Sequence, residues 1–238
     1  MFTTFRNIQK PIVDDQSIDR RKVMFSAVIS AFFVFMLWMV HTVSFINQSY
    51  WHDWGIFPRQ MFGLKGIIFS PLIHLDYNHL ISNSIPMFVL FASAIYFFRI
   101  HAFKALLFIW IFTGLGVWLF ARESYHIGAS GLVYGLAAFL GLSGIIKNDI
   151  RLISLTFLIV FLYGGMVWGA LPIEPAISWE SHLFGGTSGI LVAILYRNTG
   201  PKSVPYFVDE PLDEKPSGIY LNNDPLNGKL VRYRKQLE

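Results

Sequence analysis

Six apolar runs, set apart by short segments that hold almost all of the charge, limit what this chain can fold into more than any other feature. They lie at about 24–46, 78–98, 103–121, 129–146, 151–170 and 181–197. Soluble domains average about 45–50% apolar and about 25% charged residues; this chain has 54% and 14%. Its 23 Phe and seven Trp would over-fill a water-soluble core of this size. The first run is too long for the apolar region of a cleaved signal peptide, and no small-residue cleavage site follows it, so it is expected to remain as a span. The expected fold is all-α: a polytopic bundle of six transmembrane helices with a long interfacial first loop.

Three parts follow from this: an N-terminal segment over 1–22, the membrane-embedded bundle over 23–197 and a polar, flexible tail over 198–238. With the N-terminus in the cytoplasm, six spans return the C-terminus to the same side. Arg20, Arg21, Lys22, Arg99, Lys104, Lys147, Arg151 and Arg197 then flank the cytoplasmic span ends, whereas only Arg59, Lys65 and Arg122 fall outside. Lys and Arg collect in this way on cytoplasmic loops. The net charge of +4 and the pI near 9.3 therefore call for no nucleic-acid partner. The loop over 47–77 holds Trp51, Trp54, Phe57, Phe62 and an apolar run from Gly66, and is expected to lie in the outer membrane interface.

The absence of cysteine excludes disulfides, thiolate metal sites and cysteine nucleophiles. No metal or other cofactor is expected. His74 and His79 are five apart, unlike the H-E-x-x-H spacing of a zinc protease. The carboxylates fall in loops, span boundaries and tails, which argues against an aspartyl site within the membrane.

Spans two, four and six all run inward from the outer face, and each begins with polar residues. Span two opens with His74, Asp76, Asn78, His79 and Asn83, span four with Gly128, Ala129, Ser130 and Gly131, and span six with Ser181 and His182. Polar side chains at membrane depth are costly and face the bundle interior or a water-filled cavity. His79 and Asn83, four apart, share a helix face. Ser130 lies between glycines at a helix N-terminus, where free N–H groups and the positive end of the dipole stabilise an oxyanion. Tyr134 follows one turn later on the same face. Gly185 and Gly189 form a small-residue stripe that lets span six pack closely on span four, bringing His182 toward Ser130. A serine, a histidine and convergent donors make up the constellation for acyl transfer.

At these residues the chain resembles the rhomboid family of intramembrane serine proteases. The matches are His74-x4-His79-x3-Asn83, Gly128-Ala129-Ser130-Gly131 and His182-x2-Gly185-x3-Gly189, in family order and at the expected helix ends. The resemblance implies that Ser130 is the nucleophile and His182 its general base, a dyad without a carboxylate. It implies an oxyanion hole made by the Ser130 N–H with His79 and Asn83, to which the Ala129 N–H adds. Tyr134 matches the family tyrosine that stacks on the catalytic histidine. The expected substrates are transmembrane proteins cut near the outer face, and the bilayer is the other partner. The compact form resembles bacterial members, which implies a bacterial inner membrane with both termini cytoplasmic. The first loop lacks the Trp-Arg pair of many members.

Each residue also has a plainer reading. Ser130 alone would be a packing serine, His182 an interfacial histidine, Tyr134 an interhelical contact, and His79 with Asn83 a stabilising pair at a helix start. His74 is expected to secure the first loop. His126 is expected in the loop before span four without a role in chemistry, and His41, His52 and His101 at interfaces or in loops. The competing functions are a catalytically silent rhomboid-like adaptor and a small transporter. A silent relative would have lost the serine or the histidine, and a transporter would show inverted repeats with polar residues at the midplane.

Overall fold

The computed structural model describes residues 15–49, 51–162, 169, 171–172 and 178–201. Helix α1 (Asp15–Ile46) runs 32 residues, with neither Pro nor Gly to interrupt it. It starts earlier than the apolar run at 24. Asp19 and Lys22 pair at 3.0 Å three positions apart, and the Ser26 hydroxyl donates to the Lys22 carbonyl at 2.7 Å. A polar segment that satisfies its own side chains in this way extends the helix beyond the apolar run.

The first loop is built from 3-10 turns at Trp51–Trp54, Met61–Lys65 and Ser70–Leu72 around the one-turn helix α2 (Gly66–Phe69). It is anchored to the neighbouring helix rather than loose. Trp110 donates to the Ile67 carbonyl at 2.9 Å, Trp118 to the Gln60 carbonyl at 3.0 Å, and Arg59 to the Ala121 carbonyl at 2.7 Å. Met61 and Phe62 point outward, the former 78% exposed, and Lys65 sits over the Trp54 ring at 4.9 Å. Outward apolar side chains on an anchored loop suit a membrane interface.

Helix α3 (Tyr77–Phe98) starts at Asp76, whose carboxylate accepts the His79 N–H at 2.8 Å as an N-cap. Arg99, at φ +54, is the single residue between it and α4 (Ile100–Phe120). Helix α5 (Ser130–Lys147) ends at left-handed Asn148. Asp149 then caps α6 (Ile150–Leu162), accepting the Arg151 N–H at 3.0 Å while gripping its guanidinium at 2.6 and 3.0 Å. Helix α7 (Trp179–Leu195) follows.

Six of these helices stand where the six apolar runs lie, and there is no strand among the described residues. The later part of the fifth run lies mostly outside the described residues, as do residues 1–14 and the tail from 202. Helices α1, α3, α4 and α5 are long and apolar enough to cross a membrane. Helix α5 packs against α3, α4, α6 and α7, and it and α7, at 18 and 17 residues, are shorter than α1, α3 and α4. The core lies around α5, with Leu132, Leu136, Phe139 and Leu140 meeting Met87, Leu90 and Ile109. The Phe98 and Phe139 rings approach to 4.6 Å within it. The chain is an integral membrane protein with an all-α bundle.

Candidate active site

Ser130, at the first turn of α5, and His182, at the first turn of α7, meet where these helices touch most closely. A Cβ at Gly185 would fall on the Gly131 carbonyl oxygen, and one at Gly189 on the Gly135 carbonyl. In return, a Cβ at Gly131 would stand 3.1 Å from the Ser181 carbonyl and one at Gly135 3.0 Å from that of Gly185. With four glycines interleaved, backbone lies on backbone. His182 Nε2 comes within 2.8 Å of Ser130 Oγ.

The other ring nitrogen decides the proton placement. His182 Nδ1 lies 2.7 Å from the Gly169 carbonyl oxygen, which can only accept, so the neutral ring carries its proton on Nδ1. Nε2 is left with its lone pair toward the Ser130 hydroxyl. The Tyr134 ring stacks on the imidazole at 4.1 Å and 4°. One contact thus sets the tautomer and the other the plane of the ring. A Cβ at Gly169 would press on the Tyr134 hydroxyl and stand 3.1 Å from His182 Nδ1, so a larger residue there would have to displace the stacked ring.

On the α3 side, His79 and Asn83 lie one turn apart, and the Asn83 amide donates one hydrogen to the His79 carbonyl at 3.1 Å. Its second amide hydrogen is available to another acceptor. Gly128 has φ +107 and passes directly beneath the His79 ring, where a Cβ would lie 2.7 Å from Cε1. Its N–H donates to the Ser70 carbonyl at 2.9 Å, tying the approach to α5 to the first loop. The Ala129 N–H is engaged by His74 Nε2 at 3.4 Å, so the oxyanion donor expected from Ala129 already has a partner. Burial pulls the His74 pKa down to about 3, with the His79 ring adding to the effect, which keeps this acceptor neutral. His74 thereby joins the end of the first loop to the start of α5.

A cavity of about 530 Å³ opens on the far side of His74, lined by His41, Ser44, Trp51, Asp76 and Tyr77 among others, and it does not include Ser130 or His182. Among the described residues no group of three His, Asp or Glu side chains could hold a metal ion.

Three groups near the site stand outside what the sequence pointed to. The Gly169 carbonyl is invisible in a sequence because every residue has one, although the close approach of a glycine to a tyrosine is a signal once the fold is known. His126, expected in the loop before span four without a role in chemistry, does lie in that loop, and it is 1% exposed and bonded at both nitrogens. Ser178, the residue before α7, is one of its partners.

The family model for the Rhomboid domain matches residues 60–199, more than half of the chain. An uncharacterized protein of Mycobacterium tuberculosis is 35% identical over 172 residues, covering 68% of this chain and 72% of that relative. A protein of Mycobacterium bovis matches to the same extent, and one of Mycobacterium leprae is 30% identical over 178 residues, covering 68% of each chain.

Proposed function

The chain belongs to the rhomboid family, and from that premise we propose that it is an intramembrane serine endopeptidase acting through Ser130 and His182. The observation that carries the reading is the 2.8 Å contact between Ser130 Oγ and His182 Nε2, with Nδ1 of the same ring committed to the Gly169 carbonyl. In this proposal the Ser130 oxygen attacks the scissile carbonyl carbon as Nε2 takes the hydroxyl proton. The negative charge that develops on the carbonyl oxygen is met by the Ser130 N–H at the α5 N-terminus, His79 and the free Asn83 amide hydrogen. Collapse breaks the C–N bond, Nε2 passes its proton to the leaving amine, and an ester remains on Ser130. Water, deprotonated by His182, then hydrolyses the ester. The Tyr134 stack and the Gly169 carbonyl do the orienting that a carboxylate does in a triad.

The substrates in this reading are membrane proteins whose spanning segment unwinds locally to present an extended backbone to Ser130. The Lys and Arg distribution supports cytoplasmic termini and an outward-facing site in a bacterial inner membrane.

The test is reconstitution of the purified protein with a single-span substrate, comparing wild type with Ser130→Ala and His182→Ala. Cleavage by wild type and its loss in both variants, by at least about a thousandfold, is the expected result. Undiminished cleavage in either variant ends the dyad assignment. A wild type that binds the substrate without cutting it would favour the silent-adaptor reading.

A further inference from the structure

The loop between α4 and α5 reaches over to the start of α7 and holds it at two points. Arg122 carbonyl, 3.0 Å from His126 Nε2, can only accept, so that nitrogen carries the proton and Nδ1 is an acceptor. Ser178 Oγ, 2.6 Å from Nδ1, therefore donates to it, and accepts in turn from Ser181 Oγ at 2.7 Å. On the neutral ring these partners set the direction of both hydroxyl bonds, and the Ser124 hydroxyl also lies 3.5 Å from Nε2. The second hold is Glu180, 3% exposed, whose Oε1 accepts the Arg122 N–H at 3.3 Å and pairs with its guanidinium at 3.5 Å. Ser178, Glu180 and Ser181 are three of the four residues before His182.

An independent feature points the same way. Ser178 occupies the N-cap of α7, where a serine ordinarily accepts an N–H of its own first turn, yet its side chain makes no such bond. Its hydroxyl serves His126 and Ser181 instead. A first turn left to fray would move His182, and here a neighbouring segment holds it. His126 cannot drift, because its N–H and carbonyl exchange bonds with Ile56 at 2.9 and 3.0 Å.

Resting on the protease reading above, we infer that His126 is a positioning residue for His182. Acting through Ser178 and Ser181, it sets the rotation and height of the α7 turn that presents the imidazole to Ser130. The inference needs sensitivity to small displacements, and a misplacement of about 1 Å costs on the order of a hundredfold in rate.

The test uses the full chain in detergent with Ser178→Ala and the hydroxyl-keeping Ser178→Thr. Three readouts are taken: the rate of fluorophosphonate labelling at Ser130, the kcat and KM of substrate cleavage, and the 15N resonances of His182. For Ser178→Ala, labelling and kcat should fall about tenfold with KM within about twofold, and the His182 resonances should shift. Ser178→Thr should recover most of the rate. Wild-type labelling and kcat in Ser178→Ala overturn the inference, as does a lowered melting temperature with the rates intact, which would make the contact a simple staple. A wild type that neither labels nor cleaves defeats the protease reading instead. In that event unchanged His182 resonances in Ser178→Ala overturn the positioning role separately.

Discussion

Two helix contacts in this bundle are built on opposite principles. Between α5 and α7, glycines interleave until backbone meets backbone, and the meeting of the polar side chains at their N-terminal turns follows from that spacing. Between α1 and α3 the helices are held apart by large side chains. Phe33 meets Phe91 edge-on at 5.8 Å, Phe45 meets Tyr77 at 5.5 Å, and Trp38 donates to the Ser84 hydroxyl at 3.0 Å. Exposure divides them too. Of the most apolar stretch of α1 only 17% is buried, against 56% for that of α5. Where two helices bring a serine and a histidine to hydrogen-bond distance, removing Cβ atoms leaves little play. Where a helix has only to remain attached, flexible aromatic side chains tolerate small shifts.

The sharpest way to break this contrast is to add one carbon. Gly185→Ala would press a methyl group onto the Gly131 carbonyl, so α7 must move away from α5 and carry His182 with it. Cleavage should fall at least about a hundredfold, with stability reduced by roughly 1–3 kcal/mol as for overpacking elsewhere. Gly186→Ala is the internal control, since nothing lies within 4 Å of the point where its methyl group would stand. It should keep near-wild-type activity and melting temperature. Equal losses in the two variants would mean that helix propensity or general packing, and not the α5–α7 spacing, governs the site.

The same contrast explains which features can be read from a sequence. Hydropathy locates the six helices to within a few residues wherever they are described, except at the start of α1, where a charged turn that pairs within itself prolongs the helix. The meeting of Ser130 and His182 is legible because the spacing of Gly185 and Gly189 is a local pattern with one geometric consequence. The Tyr134 stack is legible because position 134 shares a helix face with 130. What escapes depends on backbone atoms or on distant partners. The Gly169 carbonyl sets the His182 tautomer without any side chain, and His126 finds Ser178 from 52 positions away. The Ala129 N–H, expected at the oxyanion, goes to His74, because the loop before α3 folds back onto the start of α5.

Acid offers a second, smaller separation of the two contacts. His74 supports the start of α5, and burial lowers its pKa from 6.5 to about 3. The unfolded chain therefore binds the proton first as pH falls. Its contribution is complete above about pH 6.5, declines below that, and is exhausted near pH 3. The loss over the whole interval is on the order of a few kcal/mol. His74→Gln keeps an acceptor for the Ala129 N–H but does not titrate. Unfolding followed between pH 7 and pH 4 should show a shallower decline for His74→Gln than for wild type. Parallel profiles would remove His74 as a titrating support of α5, while the Trp38–Ser84 bond, which holds no titrating group, gives no such slope.

The smallest effect belongs to the α1–α3 contact itself. Trp38→Phe deletes the indole N–H that donates to Ser84 while keeping an aromatic ring in place, and the Ser84 hydroxyl retains its own acceptor, the Leu80 carbonyl at 2.7 Å. No buried donor is left unpaired by the change. Interhelical hydrogen bonds in membrane proteins average about 0.6 kcal/mol, so the melting temperature should fall only slightly. Cleavage should stay within about twofold of wild type, because α1 packs chiefly on α3 rather than on α5 or α7. A large loss of activity at unchanged stability would show that α1 sets the geometry of the site, and the division between a rigid α5–α7 pair and a compliant outer helix would fail.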